Sequence, residues 1–302
     1  MKKIIVLISV VIAFASCDKL TRDMKVDKAS LKGSDYRLFQ DSPAWILAKA
    51  VWDDDSTEVK KIVMSDTSLL NYREPIYGQT ILFIPIYHNQ QRIVELLLRL
   101  GGKCNIYDAF SGRSPIIEAC ENNVDTTLLH ILLRHGANAS DIEIGERKTG
   151  NTTRNTPLIV ASRNGNLDLV KMLIDKGANI NFVNEYDQSA LSECVIVERY
   201  KVAYYLLQKG ADYKRPIFYR LDYSIPSEQQ DPKEKGMPMY LANVLREDFF
   251  DLDSEEFKLK MELVAFMKTK GIDYRATPVP EYIKKKAQET YPKTWQDYLD
   301  KY

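Results

Sequence analysis

The stretch Asn155-Thr156-Pro157-Leu158-Ile159-Val160-Ala161-Ser162-Arg163-Asn164-Gly165-Asn166-Leu167-Asp168-Leu169-Val170-Lys171-Met172-Leu173-Ile174-Asp175-Lys176-Gly177-Ala178-Asn179-Ile180-Asn181 decides the fold. Thr156 can cap a short helix with Pro157 at its first position, where a missing N–H costs nothing. Gly165 punctuates, a second helix with an apolar face starts near Leu167, and Gly177 ends it in a left-handed cap. The segment therefore reads as helix, turn, helix, cap.

Its two marks recur together. Cap residues stand at Thr80, Ser114, Thr156 and Ser189, at steps of 34, 42 and 33, and closing glycines at Gly101, Gly136, Gly177 and Gly210, at steps of 35, 41 and 33. Each cap lies 21 or 22 residues before its glycine. The Thr-Pro-Leu opening, the Ala five residues after Thr156 and the closing Gly-Ala-Asn resemble the ankyrin repeat, a unit of about 33 residues. The resemblance covers about residues 40 to 275 and implies an all-α solenoid of helix-turn-helix units with short β-hairpin loops. Four units are clear. Ser42-Pro43-Ala44-Trp45 with Val59 to Met64 looks like a degenerate first copy, and Met237 to Ala242 with Leu263 to Gly271 like a last one, since terminal units shield the core on one side only. The expected units span 42–75, 76–108, 109–150, 151–183, 184–216 and 236–275 within an array of 39–275, followed by a helix or tail over 276–302 whose aromatics cover the last unit.

Three departures stand out. Pro85 occupies the position of Ala161, inside a first helix, and is expected to kink or shorten it. Excess residues fall at 139–154 and 217–235, and a third excess at 247–256 carries Glu247, Asp248, Asp251, Asp253, Glu255 and Glu256 as an acidic loop. Insertions in such arrays fall in loops.

The start of the chain reads differently. Lys2 and Lys3 precede an apolar run from Ile4 to Ala15, too short to span a bilayer, and the run exits through Phe14-Ala15-Ser16-Cys17. This resembles the lipobox signal of bacterial lipoproteins. The resemblance implies that residues 1–16 are removed and that Cys17 carries acyl chains, each buried CH₂ adding about 0.8 kcal/mol of membrane affinity. Residues 17–38, with no apolar period up to Arg37, read as a lipidated Cys and flexible tether. The expected location is the bacterial cell envelope, membrane-anchored and exported.

Little here carries catalytic chemistry. The 302 residues balance 42 basic against 42 acidic side chains, so no overall field draws nucleic acid. His130 and His135 are five apart, not the helical zinc spacing, and no cofactor or metal is implied. Glu118 and Glu193 share one position of the first helix in units two apart, placing them on the order of 20 Å from each other, too far to act on one bond. Cys120 and Cys194 sit at or beside the small-residue position, as compact hydrophobes. The chain reads as a non-enzyme.

What remains is a surface. The ankyrin resemblance implies a concave groove formed by hairpin tips and the exposed sides of first helices. Carried over by unit, its positions are Ile76, Tyr77, Gln79, Tyr87 and His88; Phe110, Arg113, Glu121 and Asn122; Thr152, Thr153, Asn155, Arg163 and Asn164; and Glu185, Tyr186, Gln188 and Val197. The groove looks aromatic in its first half and polar in its second. The expected function is to bind a partner protein there, with an immunity or regulatory role as one use. The rivals are a structural scaffold of the envelope, and an enzyme or small-ligand binder using the insertions after Pro216.

Overall fold

The computed structural model describes residues 23–144, 154–221 and 236–302. Cys17, Thr152 and Thr153, with most of the insertions at 139–154 and 217–235, lie outside the described residues. Within them the chain is an all-α array of paired helices. The first helices are α1 (Trp45–Trp52), α3 (Phe83–Tyr87), α5 (Pro115–Glu121), α7 (Pro157–Asn164) and α9 (Ala190–Ile196). The second helices are α2 (Ser56–Ser65), α4 (Gln91–Arg99), α6 (Thr126–Arg134), α8 (Leu167–Asp175) and α10 (Tyr200–Gln208). Firsts pack on firsts and seconds on seconds from unit to unit, giving two layers. A sixth pair follows, α11 (Leu241–Leu245) and α12 (Glu255–Thr269), then α13 (Glu281–Thr290) and α14 (Trp295–Lys301).

The caps explain the helix ends, with two exceptions. The Thr156 hydroxyl accepts the Ile159 N–H at 3.2 Å, and Ser189 forms a reciprocal capping box with Ser192. Ser114 and Thr80 make no such bond, and their hydroxyls are buried without a hydrogen-bond partner. In the second unit the reason is Pro85. It offers no N–H to the preceding turn, so α3 begins only at Phe83 and runs five residues where α5, α7 and α9 run seven or eight. Gly177 adopts φ +85°, as the left-handed cap requires, and Ala178 donates back to the Leu173 carbonyl at 2.9 Å.

The hairpin loops are tighter than strands. Among the described residues, the strands are β1 (Phe218–Arg220) and β2 (Met237–Met239), antiparallel with Tyr219 opposite Pro238. Each of the other tips is closed by one residue whose N–H reaches the carbonyl of the residue before the cap: Glu74 to Gln79, Asp108 to Arg113, Glu143 to Asn155 and Asn184 to Gln188. The step is four or five residues in three units and twelve in the fourth, so the fourth unit's excess is an enlarged tip between Glu143 and Asn155. Adjacent tips are also joined, Ala109 N–H to the Tyr77 carbonyl at 2.7 Å and Ile144 N–H to the Gly112 carbonyl at 3.0 Å.

One expectation is corrected and one refined. The tether assigned to 17–38 is folded from Asp23 onward. Tyr36, Leu38 and Phe39 are buried in the core of the first units, with the Tyr36 ring between Trp45 (5.6 Å) and Trp52 (4.7 Å). The segment has no apolar period because it docks through these isolated anchors and 3₁₀ turns instead of forming a helix. Residues 247–256 form a loop up to Ser254 with Asp251, Asp253, Glu255 and Glu256 exposed, but its first half turns inward, which the sequence did not indicate. Glu247 pairs with Arg220, Asp248 accepts the Tyr200 hydroxyl, Phe249 and Phe250 pack inward, and Glu255 and Glu256 lie in the first turn of α12, where carboxylates suit the helix dipole.

Candidate functional site: the tip face

Tip loops and the C-terminal ends of the first helices lie along one face. The residue eight after each cap position forms a row there: Trp52, His88, Asn122, Asn164 and Val197. Trp52 joins it because the first unit's cap position is Ala44, two residues beyond Ser42, which sequence reading took as the opening.

The middle of the face is a closed ion-pair ladder. Arg113 reaches Glu143 at 3.1 Å, Glu121 at 3.3 Å and Glu118 at 3.5 Å, and Arg163 reaches Glu121 at 3.0 Å and Glu193 at 3.5 Å. The shared position of Glu118 and Glu193 thus marks two ends of one relay, with two arginines bridging them. Glu143 is 1% exposed and also takes the Asn155 N–H at 2.8 Å. Burial pushes the Glu118 carboxyl above its usual range, against the pull of Arg113 and an amide hydrogen bond from Asn122. Burial also opposes the Arg113 charge, but Glu121, Glu118 and Glu143 outweigh it and hold the guanidinium above its ordinary value. Glu143 was not singled out from the sequence. The signal was the anchor shared with Glu74, Asp108 and Asn184, displaced here by the enlarged tip.

Other expected groove positions are spent within the molecule. Tyr77 donates its hydroxyl to the Leu31 carbonyl at 2.6 Å and meets Phe110 edge-on at 5.0 Å. Gln79 is buried and accepts the Ser34 N–H at 2.7 Å, and Ile76 packs on the core with its N–H on Glu74. Asn164 donates to the Cys120 carbonyl at 2.9 Å, and Gln188 accepts from Asn184 at 2.8 Å. Glu185 is exposed and pairs with Arg154 at 3.1 Å.

Still open are Tyr87 (48% exposed), Tyr186 (59%) and Val197 (36%), with His88 beside Tyr87. Ile144 and Ile196, not singled out from sequence, are 50% and 46% exposed. Rings cluster in the first half of the face, the ion-pair ladder follows with Ile144 beside it, and Tyr186, Ile196 and Val197 add exposed apolar side chains to the fifth unit. Away from it, His135 contacts Glu95 at 3.4 Å, and the Cys120 and Cys194 thiols are fully buried and pushed well above the usual thiol range by burial.

Comparison with known proteins bears on this geometry. A family model described as ankyrin repeats (3 copies) matches residues 82–184 and 116–216. A putative ankyrin repeat protein of Acanthamoeba polyphaga mimivirus is 33% identical over 144 residues, 47% of this chain and 83% of that protein. The chain belongs to the ankyrin-repeat family. The B-cell lymphoma 3 protein homolog of Mus musculus is 32% identical over 126 residues, 42% of this chain and 25% of that protein. The ankyrin repeat and KH domain-containing protein mask-1 of Caenorhabditis elegans is 26% identical over 181 residues, 52% and 7% respectively. The chain thus spans a quarter or less of these last two. For an ankyrin array, the tip face is the surface that solenoid curvature presents for recognition.

Proposed function

We propose that this ankyrin array binds a partner protein across its tip face, and that it does so as an exported, lipid-anchored protein of a bacterial cell envelope. The observation that carries the binding reading is the set of large apolar side chains left exposed along that face, Tyr87 at one end, Ile144 beside the ladder, and Tyr186, Ile196 and Val197 toward the other end. Aromatic and branched side chains that exclude water dominate interface energy. The ladder between them has its guanidinium groups already paired, so it fixes the register of the face without demanding an ionic partner. A regulatory or immunity role is the use this arrangement suits best.

The anchoring reading rests on Lys2 and Lys3, the Ile4 to Ala15 run and Cys17. Among the described residues no helix is long and apolar enough to cross a membrane. The first described residue, Asp23, stands six positions after Cys17. Even a fully extended chain spans no more than about 22 Å over that distance, which would hold the first unit close to the bilayer.

Both readings are testable in cells. Capture from detergent-solubilised membranes should retain one stoichiometric partner with the wild type and lose it with Tyr186→Ala plus Val197→Asp. Many weak partners, unchanged by those substitutions, would favour the scaffold reading. A clickable fatty acid should label the wild type and not Cys17→Ala; label on both excludes acylation at Cys17.

A further inference from the structure

The leading segment does more than seal the first unit. Tyr77 holds Leu31, Gln79 holds Ser34, and Ser34 itself takes a left-handed φ of +67°, so residues 30–35 are pinned across the tip face. Between this strap and the ends of α1 and α3 lies an open pocket of about 310 Å³, lined by Ser30 to Asp35, Arg37, Trp52, Tyr87 and His88. Three rings build one wall. Trp52 and His88 meet edge-on at 4.5 Å, and His88 and Tyr87 at 5.2 Å. The opposite wall carries charge. Asp35 receives Arg37 Nε at 3.1 Å and Nη2 at 2.8 Å, and Arg37 Nη1 has no hydrogen-bond partner among the described residues. With Lys32 also lining the pocket, positive charge exceeds negative by one.

We infer that this pocket is the anchor site of the tip face and takes an aromatic side chain of the partner protein with a carboxylate beside it. The inference rests on the groove-binding reading and adds the chemistry of the contact. Small-molecule sites run about 300–1,000 Å³, so this one, at the lower limit and open on one side, suits one side chain. Aromatic rings favour edge-to-face contact with the rings already there. The carboxylate complements Arg37 Nη1 and Lys32, whereas a cationic partner residue would face their surplus charge. Ankyrin units do not supply this pocket by themselves. It exists because the segment before the array crosses the face.

The probe is N-acetyl-phenylalanine, with its methylamide as the uncharged counterpart, added to the full chain in detergent micelles. The chain has three histidines, so ¹³C labelling at the imidazole ε1 position gives a resolvable spectrum. The acid should shift the His88 signal saturably while His130 and His135 stay in place, and should bind about two- to fivefold more tightly than the methylamide, as expected for one exposed ion pair. Tyr87→Ala, at an exposed position that threatens no core packing, should weaken both compounds. Arg37→Gln should abolish the preference for the acid. No saturable shift at His88, undiminished binding in Tyr87→Ala, or a preference that survives Arg37→Gln would each overturn the inference. Partner capture that persists while the probe fails to bind would reject the pocket and leave groove binding standing. A bound probe with no partner captured would do the reverse.

Discussion

The two ends of the array are closed by different chemistry. At the first unit the seal is aromatic and peptide-like: Tyr36 lies between Trp45 and Trp52, and the strap is fixed by neutral bonds from Tyr77 to Leu31 and from Ser34 to Gln79. At the last unit the seal is built around buried charge. Arg246 stacks over Tyr274 at 4.0 Å and donates to the Tyr302 main-chain oxygen at 2.8 Å. Lys260, with 0% exposure, lies 3.4 Å from the Tyr302 ring centroid and donates to the Asp248 carbonyl at 3.1 Å. The lesson is that burial of aromatic rings or of paired charge can each close an array, and that a pocket borders both ends, about 310 Å³ beside Trp52 and Tyr87 at the first and about 540 Å³ beside Tyr291 and Tyr298 at the last. At the charged end Arg246 spends both terminal nitrogens on main-chain oxygens of Tyr302 and Tyr274, while its Nε is buried without a hydrogen-bond partner.

The comparison can be broken most forcefully at the first end. Tyr36→Ala removes a ring held between two indoles and should cost about 3–5 kcal/mol in chemical denaturation, the range for a buried aromatic. A loss below about 1 kcal/mol would mean that the segment merely lies on the surface.

The last end should respond to pH where the first does not. Burial pushes the Lys260 ammonium down to about 7, only partly offset by Asp248. From about pH 7 up to the ordinary lysine range near 10.5, the unfolded chain holds a proton that the folded chain has released, so stability should rise as pH climbs through that window. Between pH 7 and 9 the rise should be on the order of 2 kcal/mol. Lys260→Met, which keeps the length and removes the charge, should flatten it. A Met variant with an unchanged slope would move the effect to another group.

The smallest effect sharpens the role of the strap. Gln79→Ala strands the Ser34 N–H and should cost about 1 kcal/mol. Hydrogen exchange should quicken at residues 31–34 and stay unchanged at α12 and α14. Equal acceleration at both ends would show that the seals are coupled.

The first of these ends marks where sequence reading failed. The middle units were legible because Thr156, Ser189 and the closing glycines each answer a local backbone need that recurs at a fixed interval. Pro85 was legible for the same reason, since a missing N–H has one consequence wherever it falls. The leading segment was not, because Tyr36, Leu38 and Phe39 are buried by what they dock against and leave no period. Tyr77 and Gln79 were expected as groove contacts, but they are spent on Leu31 and Ser34, which are 46 and 45 residues away in sequence. The ladder was half visible. Glu118 and Glu193 were noted, whereas the arginines that join them could be paired only once the helices stood side by side.

The central claim is that the tip face holds a partner protein, and site-specific photocrosslinking in intact cells tests it most directly. A benzophenone side chain at Tyr186 on the tip face should give one discrete higher-mass adduct, and the same group at His130, exposed on the second-helix layer, should give none. An adduct at His130 with none at Tyr186 would contradict the account and place recognition on the opposite side of the array.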